Sequence, residues 1–252
     1  RLALAAGIAL ISLGLAGEIA RLGEQAAGPS RIPAAAVAMS LLLIGLAGAV
    51  LVAEGAADPL ERLGLRRGQL RLPALALLVL GVLFVSFAAD SFLRLEGLRD
   101  QGTLARFDRA VSNARGPSLL MVSLTLALAP ALAEEIFFRG LVQRGLVARL
   151  GPAFAIPLTA LAFAAVHGDW THAAAAFPLG LYLGVVAHLA GSIRASILCH
   201  AVNNLSAVWV GAFGWPQGRG LSLLGVTALL AGCAGLLWLA SRPRFLSAPP
   251  SG

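Results

Sequence analysis

From Pro117 to Arg139 the chain reads PSLLMVSLTLALAPALAEEIFFR. Seventeen residues without a charge run straight into two adjacent glutamates, with an arginine four positions beyond the second. A helix of about 17–25 residues crosses the roughly 30 Å of bilayer hydrocarbon, so the run is long enough to span. Each unneutralised charge near the bilayer centre costs about 2.5–3.5 kcal/mol on insertion scales. A chain that keeps Glu134, Glu135 and Arg139 against such a run therefore uses them.

Working outward, the same kind of run recurs at Leu2–Gly17, Pro33–Ala53, Leu72–Ala89, Leu150–Val166, Ala173–Ile193, Ala195–Phe213 and Leu221–Ser241. With Pro117–Ala133 that makes eight candidate spans. Of the 252 residues, 58% are hydrophobic and 12% charged, against roughly 45–50% and 25% in soluble domains. Lipid cannot satisfy free backbone groups, and no alternating barrel pattern is present, so the spans are helices. The expected fold is all-α, a polytopic membrane bundle of about eight transmembrane helices. It divides into membrane helices and loops over 1–116, a catalytic-type helical core over 117–241 and a disordered Pro/Ser/Ala-rich tail over 242–252. The chain begins with Arg1 rather than methionine, which suggests residues upstream. No small-x-small cleavage context follows Leu2–Gly17, so that run reads as a clipped membrane helix rather than a signal peptide.

The net charge of +7 comes from 19 basic residues, all of them arginine. Arginines in the loops of a membrane protein are explained by anionic lipid headgroups, and nucleic acid is not an expected partner. Arginine counts on alternate sides favour cytoplasmic termini. With the Ala/Leu/Gly-rich composition, this suggests an integral, multi-pass protein of a bacterial inner membrane. Cys199 and Cys233 lie in apolar runs and read as small buried hydrophobes. The stretch Arg94–Arg115, with Leu95, Leu98, Leu104, Phe107 and Val111 among its charges, is either an amphipathic interfacial helix or a solvated loop.

Three polar clusters carry the chemistry. Glu135 and Arg139 are four apart, which makes them an ion pair on one helix face, while Glu134 points about 100° away. The pair supports the structure and Glu134 is left for chemistry, as a carboxylate general base. Phe163 and His167, again four apart, close the run from Leu150. Gly168 to His172 reads as a short turn with His172 exposed, and His188 as structural. His200 and Asn204 share a face that can donate two hydrogen bonds toward one point, as a developing oxyanion requires; Asn203 lies about 100° around. The plain alternatives are end-of-helix solvation for the glutamates and interhelical hydrogen bonding for His200 and Asn204.

The order Glu134-Glu135-x-x-x-Arg139, Phe163-x-x-x-His167, His200-x-x-x-Asn204, each within a membrane run, resembles the CPBP family of CAAX-protease and bacteriocin-processing intramembrane proteases, also called Abi. The resemblance spans roughly Leu119 to Val210, including Gly191-Ser192-Ile193 ahead of the last motif. It implies that Glu134 and His167 activate a water and that His200 and Asn204 hold the tetrahedral oxyanion. The expected activity is hydrolysis of a peptide bond in a membrane-associated peptide or protein tail. The alternatives are a catalytically silent membrane scaffold or immunity factor binding a partner in the same cavity and, third, a proton-relay transporter. The family is commonly called metalloprotease, and Glu134, His167 and His200 could form a zinc site. There is no HExxH, however, and Asn is a poor zinc ligand. The expectation is that no cofactor is required, with zinc the alternative.

Overall fold

The computed structural model describes residues 31–214 and 223–242. Among these, the helices are α1 (Arg31–Glu54), α2 (Leu72–Leu95), α3 (Gly102–Val111), α4 (Gly116–Leu150), α5 (Pro152–Ala165), α6 (Trp170–Ala190), α7 (Arg194–Phe213) and α8 (Leu223–Ala240), with one further turn at Pro59–Arg62. Six of them, α1, α2, α4, α6, α7 and α8, are long and apolar enough to cross a membrane. The polytopic all-α bundle is as expected. The run at Leu2–Gly17 and the tail beyond Arg242 lie outside the described residues.

The bundle wears its apolar residues outside as well as inside. Val52 (83% exposed), Leu72 (79%) and Leu224 (80%) face outward from spanning helices, where only a lipid solvent would leave such side chains at no cost. Inside, Leu43, Ala47 and Val50 of α1 pack on Ala133, Phe137 and Phe138 of α4 and on Phe163 of α5. A second cluster joins Leu78, Val82 and Val85 of α2 to Leu183 and Val186 of α6, and includes both free cysteines, Cys199 and Cys233. Gly81 lets α2 and α6 approach closely: a Cβ there would lie 2.4 Å from the Tyr182 hydroxyl, which donates to the Leu78 carbonyl.

Two spans depart from the expectation. The segment opened by Pro117 does not end at the glutamates; α4 continues unbroken to Leu150, so Glu134 and Glu135 sit near its middle. Two stretches of α4, Ser123–Leu128 and Glu135–Gln143, take the wider π-helical turn, a local form that recurs at functional sites. The run Leu150–Val166 holds only the 14-residue helix α5, about 21 Å long and too short to cross. Gly151, at φ +73°, breaks the chain before it, and Pro152 occupies its first turn. Its far end stops beside the middle of α4, where Phe163 meets Phe138 at 5.4 Å.

The stretch from Arg94 to Arg115 is not a free loop. α3 docks on the bundle through Val111, which is fully buried, beside Val208 and Ala212 of α7. Arg99 bridges Asp90 at 2.6 Å and Asp108 at 2.8 Å, fastening the connector to the end of α2. Burial alone would lower the Arg99 pKa, but Asp108 and Asp90 more than offset it and hold the guanidinium charged.

Candidate active site

The site is built on the middle of α4. Glu135 and Arg139, one turn apart, form the expected pair: Arg139 Nη1 lies 2.9 Å from Glu135 Oε1, and both side chains are wholly buried. Arg139 also donates from Nη2 to the Gly180 carbonyl of α6 at 2.9 Å and lies 4.4 Å from the centre of the Phe163 ring. The guanidinium is thus held by a carboxylate, a carbonyl and an aromatic face, the three contacts a buried arginine can use. End-of-helix solvation of the glutamates is ruled out by this burial.

Glu134, on the neighbouring face, keeps 15% of its side chain exposed and approaches His200 Nε2 at 3.8 Å. Its carboxylate lines a cavity of about 300 Å³ together with His167, His200, Asn203 and Asn204. The three polar clusters, separated by as many as 70 positions in the sequence, therefore meet in one chamber. Its remaining wall includes Leu93, Leu104, Phe107, Leu126 and Leu179, with Arg99 and Asp90 toward the connector.

The neighbours of each imidazole fix its proton. His167 Nδ1 lies 2.8 Å from the Phe163 carbonyl, which can only accept, so Nδ1 carries the hydrogen and Nε2 keeps its lone pair. His200 Nδ1 lies 3.0 Å from Glu135 Oε1 and donates in the same way. Glu135 thus serves two partners, Arg139 and His200, from one oxygen. Asn203 Nδ2 donates to Asn204 Oδ1 at 3.1 Å, which engages the Asn204 acceptor and leaves its amide hydrogens for another partner.

Of the residues expected at the site, Glu134, His167, His200 and Asn204 all line the cavity, and Glu135 and Arg139 lie outside its lining as a buried ion pair. His188 is exposed on α6 and does not line the chamber; it borders a separate cavity with Arg139 and Gln143. The expectation for His172 is corrected. Residues 168–172 are not all turn, because α6 begins at Trp170 with Asp169 as its N-cap. His172 lies in the first helical turn, lines the cavity and meets His167 edge-to-face with ring centres 4.3 Å apart. Asp169 caps α6 by accepting from the His172 amide at 2.9 Å, and also accepts from the Thr103 amide at 2.8 Å. Burial pushes the Asp169 pKa up, but hydrogen bonds from the Thr103 and Thr171 hydroxyls and these two amides outweigh it and hold the carboxyl below its usual range. The N-cap signature, an aspartate just ahead of an apolar run, was the available signal. Thr103, which reaches the site only through the fold, had none.

A zinc site would need its donors to converge. Among the described residues no three His, Cys, Asp or Glu side chains do so.

Fold and site define an integral, multi-pass helical membrane protein with acid, imidazole and amide groups gathered in a chamber among its spans. Residues 116–206 match the family model described as "Type II CAAX prenyl endopeptidase Rce1-like", within the CPBP family that the three motifs resemble. The match covers somewhat over a third of the chain and takes in every polar group of the chamber from Glu134 to Asn204. The matched family is one of proteases. No curated protein and no solved structure matches the chain.

Proposed function

We propose that the protein is an intramembrane endopeptidase that hydrolyses a peptide bond in a membrane-associated peptide or protein tail. The observation that carries this reading is Glu134: a carboxylate that the neighbouring ion pair leaves free, opening into a chamber beside His167, His200 and Asn204. Glu134 takes one proton from a water as it attacks the carbonyl carbon, while His167 Nε2 accepts the water's other hydrogen bond and orients it. The carbonyl oxygen becomes an oxyanion and accepts from Asn204 Nδ2 and His200 Nε2. For that donation His200 carries both ring protons. Collapse of the tetrahedral adduct breaks the C–N bond, and the departing amine takes a proton from the Glu134/His167 pair.

The family description, a CAAX prenyl endopeptidase, and the apolar wall of Leu93, Leu104, Phe107, Leu126 and Leu179 both support an apolar or lipid-bearing tail as substrate. The all-arginine, Ala/Leu/Gly-rich composition supports a bacterial inner membrane as its setting. The deciding experiment presents purified protein in liposomes with a library of membrane-anchored peptides and maps cleavage by mass. A protein that binds library members without cutting any would instead be the silent scaffold or immunity factor.

Two further results are expected. Asn204→Ala lowers kcat by about 10²–10³-fold, the cost of one oxyanion donor, with little change in KM; a rise in KM at constant kcat would assign Asn204 to substrate binding. Strong chelators leave cleavage nearly intact, and metal analysis gives well under one zinc per chain. A true catalytic zinc lowers the pKa of its water to about 7, so stripping would abolish activity and stoichiometric zinc would restore it. That outcome would make Glu134, His167 and His200 ligands.

A further inference from the structure

The rings around the chamber form one edge-to-face series. Phe137 meets Phe138 at 5.2 Å, Phe138 meets Phe163 at 5.4 Å, Phe163 meets His167 at 4.9 Å, and His167 meets His172 at 4.3 Å between ring centres. The inner members are fixed by burial: Phe137 and Phe138 are 2% exposed and Phe163 is fully enclosed. His167 comes next, and its outer neighbour in the series is His172.

An imidazole turns freely about its Cβ–Cγ bond unless its surroundings stop it, because that torsion has broad wells. The Phe163 carbonyl fixes one nitrogen of His167 but leaves the plane of the ring to its neighbours. His172 is well placed to set that plane, because it is itself fastened. Its Nδ1 lies 3.0 Å from Thr103 Oγ1, and the Thr103 hydroxyl donates its hydrogen to Asp169 Oδ2. With that hydrogen committed, Thr103 Oγ1 accepts from His172, so Nδ1 of His172 is protonated and Nε2 is bare. The Asp169 carboxylate also accepts from the Thr171 hydroxyl and from the amides of Thr103 and His172. A connector helix, the start of α6 and the last ring of the series are thereby joined at one point.

We propose that His172 is a positioning residue for His167, held in register by the Thr103–Asp169 clasp. Its kinetic consequence rests on the endopeptidase reading; its structural consequence does not. An ordinary helix-start histidine would leave His167 indifferent to its removal.

The test uses both levels. The chain contains four histidines, so ¹⁵N-histidine labelling of the full chain in nanodiscs gives four assignable rings. Wild-type His167 should show the single Nδ1-protonated form. His172→Ala should convert it to an averaged signal, His172→Phe should preserve it, and Thr103→Val should partly average it. In cleavage assays His172→Ala should lower kcat by about 10–100-fold, the scale of a misplaced catalytic group, with KM within about twofold. His172→Phe should recover most of that loss. An unchanged His167 signal in folded His172→Ala and Thr103→Val overturns the proposal. So does a His172→Phe variant that keeps the wild-type signal yet cleaves as poorly as His172→Ala, since the ring nitrogen would then act directly. If the wild type cleaves nothing, the endopeptidase reading fails, and the nitrogen signals alone still decide whether His172 orders His167.

Discussion

Glu134→Gln is expected to remove peptide hydrolysis while leaving a folded, extractable protein. Glutamine has the shape of glutamate and can keep the same rotamer, but its amide cannot take a proton from water. A lost general base costs about 10²–10⁴-fold in rate. The fold should tolerate the change because the ion pair of α4 does not include Glu134: its contact with His200 is long, at 3.8 Å, and the side chain is partly exposed to the chamber. Rates on a cleaved membrane-tail peptide, with thermal unfolding of the same preparation in detergent, check both halves. Full activity in the glutamine variant would remove Glu134 from the mechanism. A collapse in yield would mean that its charge is structural.

The opposite pattern is expected one residue along. Glu135→Ala leaves the guanidinium of Arg139, 1% exposed, without its counter-charge, and Arg139→Ala leaves the Glu135 carboxylate likewise. Breaking one side of a buried pair costs about 3–5 kcal/mol, enough to exhaust much of the stability of an ordinary domain. Both variants should lose folded yield as well as activity. Glu135→Ala also takes the Nδ1 partner from His200, so any folded fraction should be impaired in kcat. The double variant Glu135→Leu/Arg139→Met should recover stability without activity, because apolar replacements of similar volume remove both charges together. Equal losses in the Glu134, Glu135 and Arg139 variants would defeat the division between support and chemistry.

The Glu135–Arg139 pair was legible in the sequence, because helical spacing alone joins the two and leaves Glu134 aside. The membrane spans were legible too, since hydropathy reports directly on lipid contact. Convergence was not: spacing cannot bring Glu134 to His200, and only the resemblance implied that they meet. Hydropathy misjudged Leu150–Val166 because a count of apolar residues ignores the Gly151-Pro152 break that shortens α5. The Arg94–Arg115 stretch stayed ambiguous because both readings share one pattern of charges and leucines. Contacts across the fold, such as Val111 against α7 and Thr103 on Asp169, decide between them. Asn203, expected only as a neighbour, orients the amide of Asn204 through a bond whose direction no sequence pattern records.

The wide turns of α4 make this helix sensitive to length in a way that substitution does not probe. Over Glu135–Gln143 each turn holds more residues than an ordinary α-helix. Deleting a single residue between Glu135 and Arg139 would let the backbone relax to the tighter form, which keeps the facing of the helix beyond but changes how these two side chains face each other. Gln143, which donates to the Gly184 carbonyl at 2.9 Å, would then keep its place, and the disturbance would fall on the Glu135–Arg139 pair. Length is therefore expected to matter here as well as side-chain identity, because the pair needs both its charges and its spacing. A chain shortened by one residue between Glu135 and Arg139 is expected to lose folded yield even though every polar group of the chamber is still present.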